Sequence, residues 1–184
     1  MQIEDAQREV RFRYCGGFFG QLVSGVLWLV SASLATWSKP QSAIAFLVVG
    51  GFFIFPATEL LVRLFGGNRP INAQNSLNGL GMQVAFVLPL SMPLLLPVTL
   101  HRLDLFFPAM TILLGAHYCP FVFLYGMKIF AILAGLLVTA GVVVAQAGHI
   151  GFSVAAWFTA ISLLVFSVIG RAVVVREQGI PIPL

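Results

Sequence analysis

The chain has 184 residues, 59% of them hydrophobic and 9% charged, with a formal net charge of +4. Soluble domains carry about 25% charged residues, so this composition excludes an ordinary water-soluble fold. The positive charge does not point to nucleic acid, because the basic residues fall between apolar stretches, where they act as a topology signal.

In chain order the first segment is a tail, residues 1–15. Its stretch 4–13 mixes acidic and basic side chains and predicts a short interfacial helix leading into the membrane. A helix needs roughly 20 apolar residues to cross the hydrocarbon. Six stretches meet that requirement: residues 16–37, 41–65, 77–100, 104–125, 127–146 and 150–173. They predict an all-α polytopic membrane protein, a bundle of six transmembrane helices over 16–173, followed by a second tail at 174–184. None of the extramembrane pieces is long enough to bury a core of its own. The first span follows a tail carrying Glu4, Asp5 and Glu9 and exceeds a signal-peptide apolar core, so it reads as a retained helix.

Within the first span Gly16, Gly20 and Ser24 recur at four-residue spacing, and Ala131, Gly135 and Thr139 do the same in the fifth. Such stripes let another helix approach closely, either across a dimer seam or, more plainly, within the bundle. Gly-Gly-Phe-Phe occurs at Gly16 to Phe19 and again at Gly50 to Phe53. One copy begins a span and the other lies mid-span, so the pair reads as coincidence and not as a repeat. The connector at 66–78 is the one long polar segment. Its glycines and Arg69-Pro70 step stop the second helix, and Asn75 or Ser76 is placed to cap the third.

The third span holds Pro89, Pro93 and Pro97 at four-residue spacing. Each removes a backbone N–H and frees the carbonyl four residues earlier, that of Ala85 in the case of Pro89. A broken helix is expected in the outer half of this span, its free carbonyls facing protein or a cavity. In the fourth span Pro120 frees the carbonyl of Ala116 beside His117. Glu59, His117, Gln21 and Gln83 fall at similar depth in four different spans and form a candidate intramembrane ligand or proton site. A plainer alternative pairs Glu59 with Arg63 one turn later on the same helix.

With six spans the termini share a side. That side collects Arg8, Arg11, Arg13, Arg63, Arg69, Lys128, Arg171 and Arg176, against Lys39 and Arg102 on the other. Positive loops stay cytoplasmic, so both termini are expected in the cytoplasm. Cys15 and Cys119 do not form a disulfide framework. No nucleophile-elbow, zinc-protease or P-loop motif is present, and no metal site or cofactor is expected. His101 and His149 fall at the opposite surface.

The run His117-Tyr118-Cys119-Pro120-Phe121-Val122-Phe123-Leu124-Tyr125-Gly126-Met127, together with Gly50 to Pro56 and Gly20 to Gly25, resembles an uncharacterised family of small multi-pass bacterial membrane proteins. Members of that family often have leucine at the position of Cys119, which argues against a thiol role. The resemblance implies a bacterial inner-membrane location and brings no activity, substrate or cofactor. The expected function is a small transporter or ligand-binding membrane protein for a small molecule or ion, acting as a homodimer. The alternative is a non-catalytic scaffold or subunit that works through helix packing. An enzyme is not expected.

Overall fold

The computed structural model describes residues 2–66, 71–148 and 151–179. His149, residues 67–70 of the polar connector, the start of the sixth span at 150 and the end of the second tail at 180–184 lie outside the described residues. Among the described residues the chain is helical and has no strand. Helix α1 spans Ile3–Arg13, α2 Phe18–Trp37, α3 Pro40–Gly51 and α4 Ile54–Phe65. Helix α5 spans Leu77–Ser91, α6 Leu95–His101, α7 Phe106–Tyr125, α8 Ile129–Ala147 and α9 Val154–Glu177. Five helical stretches are long and apolar enough to cross a bilayer, and α3 with α4 makes a sixth span with a bend of 54°.

The bundle is organised around two intimate pairs, α7 with α8 and α2 with α9. Glycine makes both possible. On α7, a Cβ at Gly115 would lie 2.9 Å from the Val138 backbone nitrogen. On α8, one at Gly141 would lie 2.7 Å from the Pro108 carbonyl. At the start of the first span Gly16 lies against α9, where a Cβ would meet the Gly170 carbonyl oxygen at 2.9 Å. Between α7 and α9 the buried hydroxyls of Thr111 and Thr159 share a hydrogen bond of 2.9 Å. On α8 the stripe of Ala131, Gly135 and Thr139 instead faces out of the bundle, with open space over Gly135.

Both Gly-Gly-Phe-Phe copies turn out to be helix junctions. At the first, Cys15, Gly16 and Gly17 all take positive φ and separate α1 from α2. Gly16 meets the backbone of α9, where no side chain fits, and Gly17 lies against the ring of Phe130 at a φ of +80° that strains any other residue. At the second, Gly51 ends α3 and Phe53 precedes α4, which creates the bend in the second span. The sharp break is therefore in the second span, not at the prolines of the third. Pro89 sits inside α5, which continues to Ser91, and only then does a 3₁₀ turn, Met92–Leu94, intervene before α6. Pro97 lies within α6, and α7 passes through Pro120 to Tyr125 without interruption. Pro93, Pro97 and Pro120 are exposed on the outer surface. Prolines are accommodated in this way because neighbouring helices and local 3₁₀ adjustments absorb the missing bonds.

The N-terminal helix is tied down at its polar face. Arg11 donates to both carboxylate oxygens of Glu177 at 2.8 and 2.6 Å, which brings the two ends of the chain to one side of the bundle. Arg11 also donates to the Tyr125 carbonyl, and Gln7 to that of Phe123, both at 2.6 Å. The first of these satisfies a carbonyl at the open end of α7, while the Phe123 carbonyl also accepts from the Gly126 N–H at 3.3 Å. In the polar connector, the Asn75 amide donates to Glu9 at 2.6 Å and to the Ala6 carbonyl at 3.1 Å. Asn75 Oδ1 accepts from the Leu77 N–H at 3.0 Å, so Asn75 and not Ser76 supports the start of α5.

Candidate functional site

A cavity of about 670 Å³ lies within the bundle, lined along α7 from Met110 to Tyr125. Along α2 it extends from Gly17 to Trp28. That is about 16 Å at the helical rise, half of a bilayer core. Its far end lies where the two interrupted spans approach each other: a Cβ on Gly51, at the α3–α4 bend, would be 3.9 Å from Met92 Cε in the 3₁₀ turn. Its near end is covered by α1, which contributes Val10 and Tyr14.

The walls are mostly apolar because each helix turns one apolar stripe inward. On α7 the lining positions Met110, Leu114, His117, Tyr118, Phe121, Leu124 and Tyr125 recur at three- and four-residue spacing. Tyr118, Phe121 and Tyr125 pack with Phe130 of α8, with ring centroids 5.2 to 6.0 Å apart. The polar residues among the lining are chiefly Gln21, Ser24, Thr58 and His117.

Gln21 is 2% exposed, and neither its amide nitrogen nor its oxygen has a hydrogen-bond partner. His117 Nδ1 is likewise buried without one. An unpaired buried polar group costs about 1–3 kcal/mol, so two on one cavity are unusual in a finished fold. Ala85 and Pro89 also line the cavity, so the carbonyl that Pro89 frees belongs to its wall.

The candidate layer read from the sequence divides in two. Gln21 and His117 both line the cavity. Glu59 does not line it; its carboxylate lies 3.5 Å from Arg13 at the end of α1. Arg63 is exposed and takes no part in that pairing. Tyr14 lies beside the same carboxylate, and burial together with the Glu59 charge pushes its hydroxyl up to about 12. Gln83 is exposed and does not line the cavity. Ala116 and Pro120 face outward as well, so the carbonyl freed by Pro120 is not beside the site.

Several groups of the site were not anticipated. Tyr118 and Tyr125 sat within the run that carried the family resemblance, and their spacing from His117 marks a common helix face. Tyr14 and Arg13 lie in the tail, where no span-based reading would look. The bend over Gly50 to Phe53 had a visible signal, two consecutive glycines at mid-span.

The fold and cavity define a class: an all-helical membrane protein of six spans that encloses an intramembrane cavity beside its two termini. The chain belongs to a family of unknown function, DUF7010, whose model matches residues 3–174. No curated protein and no solved structure matches it.

Proposed function

We propose that the protein binds a small molecule inside the membrane, as a small transporter or an intramembrane carrier, with Gln21 and His117 as the polar anchors of its site. The observation that carries this reading is Gln21: an amide buried to 2% exposure, on the wall of a 670 Å³ cavity, with both of its polar atoms unpaired. A fold that needed this residue only for packing gains more from leucine. A bound molecule that pairs with the amide removes the cost. The cavity volume lies in the range of small-molecule sites, and apolar walls with a few convergent polar groups are their usual chemistry.

The distribution of basic residues supports cytoplasmic termini, and with them a cavity whose α1 end faces the cytoplasm across a bacterial inner membrane. The Glu59–Arg13 pair belongs to the closure of this site by α1 and not to its ligand contacts. The reading is tested by melting the purified protein in detergent against a metabolite and ion library, with His117→Ala and Gln21→Leu alongside. A compound that raises the wild-type melting temperature, and raises it less in both variants, supports the site. A library with no such compound counts against it.

A second reading, a membrane subunit acting through helix packing, is favoured by one observation. The Ala131, Gly135 and Thr139 stripe of α8 faces outward with nothing above Gly135. Small residues on an outer helix face suit close approach by another helix. In that case Gly135→Leu disrupts an oligomer seen by crosslinking in native membranes, and substitutions at Gln21 are silent.

A further inference from the structure

The cavity has a side opening. Helix α4 packs on α2 and α5 packs on α7, whereas α4 and α5 make at most slight contact with each other among the described residues. The third span is also the least covered, with 11% of its apolar window buried against 28 to 44% in the four other single-helix spans. Phe52 and Phe55 at the α4 edge, and Met82, Phe86 and Leu90 on α5, line the cavity and are also exposed on the outer surface, Leu90 at 75%. A residue that does both stands at a mouth, and this mouth lies along the length of membrane-spanning helices. It opens towards lipid.

Among the described residues the lining carries no Asp, Glu, Lys or Arg. Arg13 and Glu59, beside the α1 end of the cavity, are paired with each other. An ionised head group brought into this cavity meets no counter-charge among the described lining residues, and transfer of an unpaired ion into an apolar site is far costlier than transfer of a hydroxyl or carbonyl. Gln21 offers the opposite match, since an amide both donates and accepts and so serves a neutral oxygen head group.

We infer that the ligand is a neutral, lipid-soluble amphipath that enters sideways from the bilayer between α4 and α5 and hydrogen-bonds Gln21 with its head group. This inference rests on the binding reading above and names its ligand class.

The test uses the full chain in proteoliposomes with three photoactivatable probes of equal chain length, a long-chain alcohol, the matching carboxylate and the matching quaternary ammonium. Labelled residues are mapped by mass spectrometry. Trp28 and Tyr118 line the cavity at 2 and 5% exposure, so their labelling reports entry and not lipid contact. The alcohol is expected to label this inner wall, the charged probes far less. Gln21→Leu is expected to lower the alcohol labelling about fivefold, the worth of one hydrogen bond to a neutral group. That variant removes an unpaired amide and keeps the packing volume, so misfolding does not explain a loss, and a melting temperature no lower than wild type verifies this.

Inner-wall labelling by the charged probes at the level of the alcohol overturns the ligand class and leaves the binding reading standing. Alcohol labelling that ignores Gln21→Leu overturns the assignment of the head group. No inner-wall labelling by any probe, with Phe86→Cys crosslinking between copies instead, means that another chain covers the mouth, and overturns the binding reading as well.

Discussion

The guanidinium of Arg13 lies 3.5 Å from the Glu59 carboxylate, joining the end of α1 to the middle of α4 across the termini-side end of the cavity. Both side chains are largely buried, at 14 and 19% exposure, and each keeps one further polar atom, Arg13 Nη1 and Glu59 Oε1, without a partner. Removing either partner strands the other. Glu59→Gln and Arg13→Ala should each lower unfolding stability by about 1–3 kcal/mol. Arg63→Ala should leave it unchanged, because Arg63 is exposed and outside the pair. Equal effects of Arg63→Ala and Arg13→Ala in a denaturation series contradict this assignment.

Tyr14 adds a pH dependence at the alkaline end. Burial, then the neighbouring Glu59 charge, raise its hydroxyl from 10.0 to about 12. A raised folded value means that its contribution is fully present below pH 10 and is lost as pH rises through about 12. Wild type should therefore lose stability over that window faster than Tyr14→Phe, measured as melting temperature in the same detergent. Parallel curves for the two proteins would remove Tyr14 from the closure.

Gly16 is fixed by both backbone and space. Its φ is +64°, and a Cβ there would lie 2.8 Å from Val174 Cγ2 and 2.9 Å from the Gly170 carbonyl. Gly16→Ala should cost about 1–3 kcal/mol through backbone strain alone, with the clash added. Gly135→Ala, with open space around its Cβ, should be neutral or mildly stabilising in the monomer. Thermal melts of the two variants side by side check the contrast.

Helix α1 closes the cavity towards the chain termini through the bonds of Gln7 and Arg11 to the end of α7 and of Arg11 to Glu177. Ser24 lines the cavity at 7% exposure. With Cys15 and Cys119 replaced by serine, Ser24→Cys should resist a water-soluble maleimide. Adding Gln7→Ala and Arg11→Ala should speed its modification about tenfold, as the fraction of opened molecules rises with the loss of a few hydrogen bonds. Unchanged protection would mean that α1 is not the closure.

The spans were legible from the sequence because apolar length is a direct physical requirement of the bilayer, and all six stretches correspond to helices here. Which face of each helix turns inward was less legible. Gln21 and Gln83 look alike as isolated polar residues in apolar runs, yet one is 2% exposed and the other lies on the outer surface. That difference is set by which neighbouring helix is in reach, a property of the bundle. Proline drew attention to the third span because it removes a hydrogen bond. The sharper bend came from Gly50 and Gly51, which remove side-chain restraint instead. The Glu59 partner was missed because the favourable i to i+4 spacing to Arg63 is local, whereas Arg13 is 46 residues away in the chain. The tail was read as an interfacial helix, and its role as a cover became visible only from the bonds it makes.

The proposed site at Gln21 and His117 is tested most directly by native mass spectrometry of the protein taken straight from membranes, wild type against Gln21→Leu. The prediction is a non-covalent adduct of small-molecule mass on the wild type that is lost or strongly reduced in the variant, with the variant at least as stable once stripped. Identical spectra for the two proteins, with or without an adduct, would contradict a binding site built on Gln21.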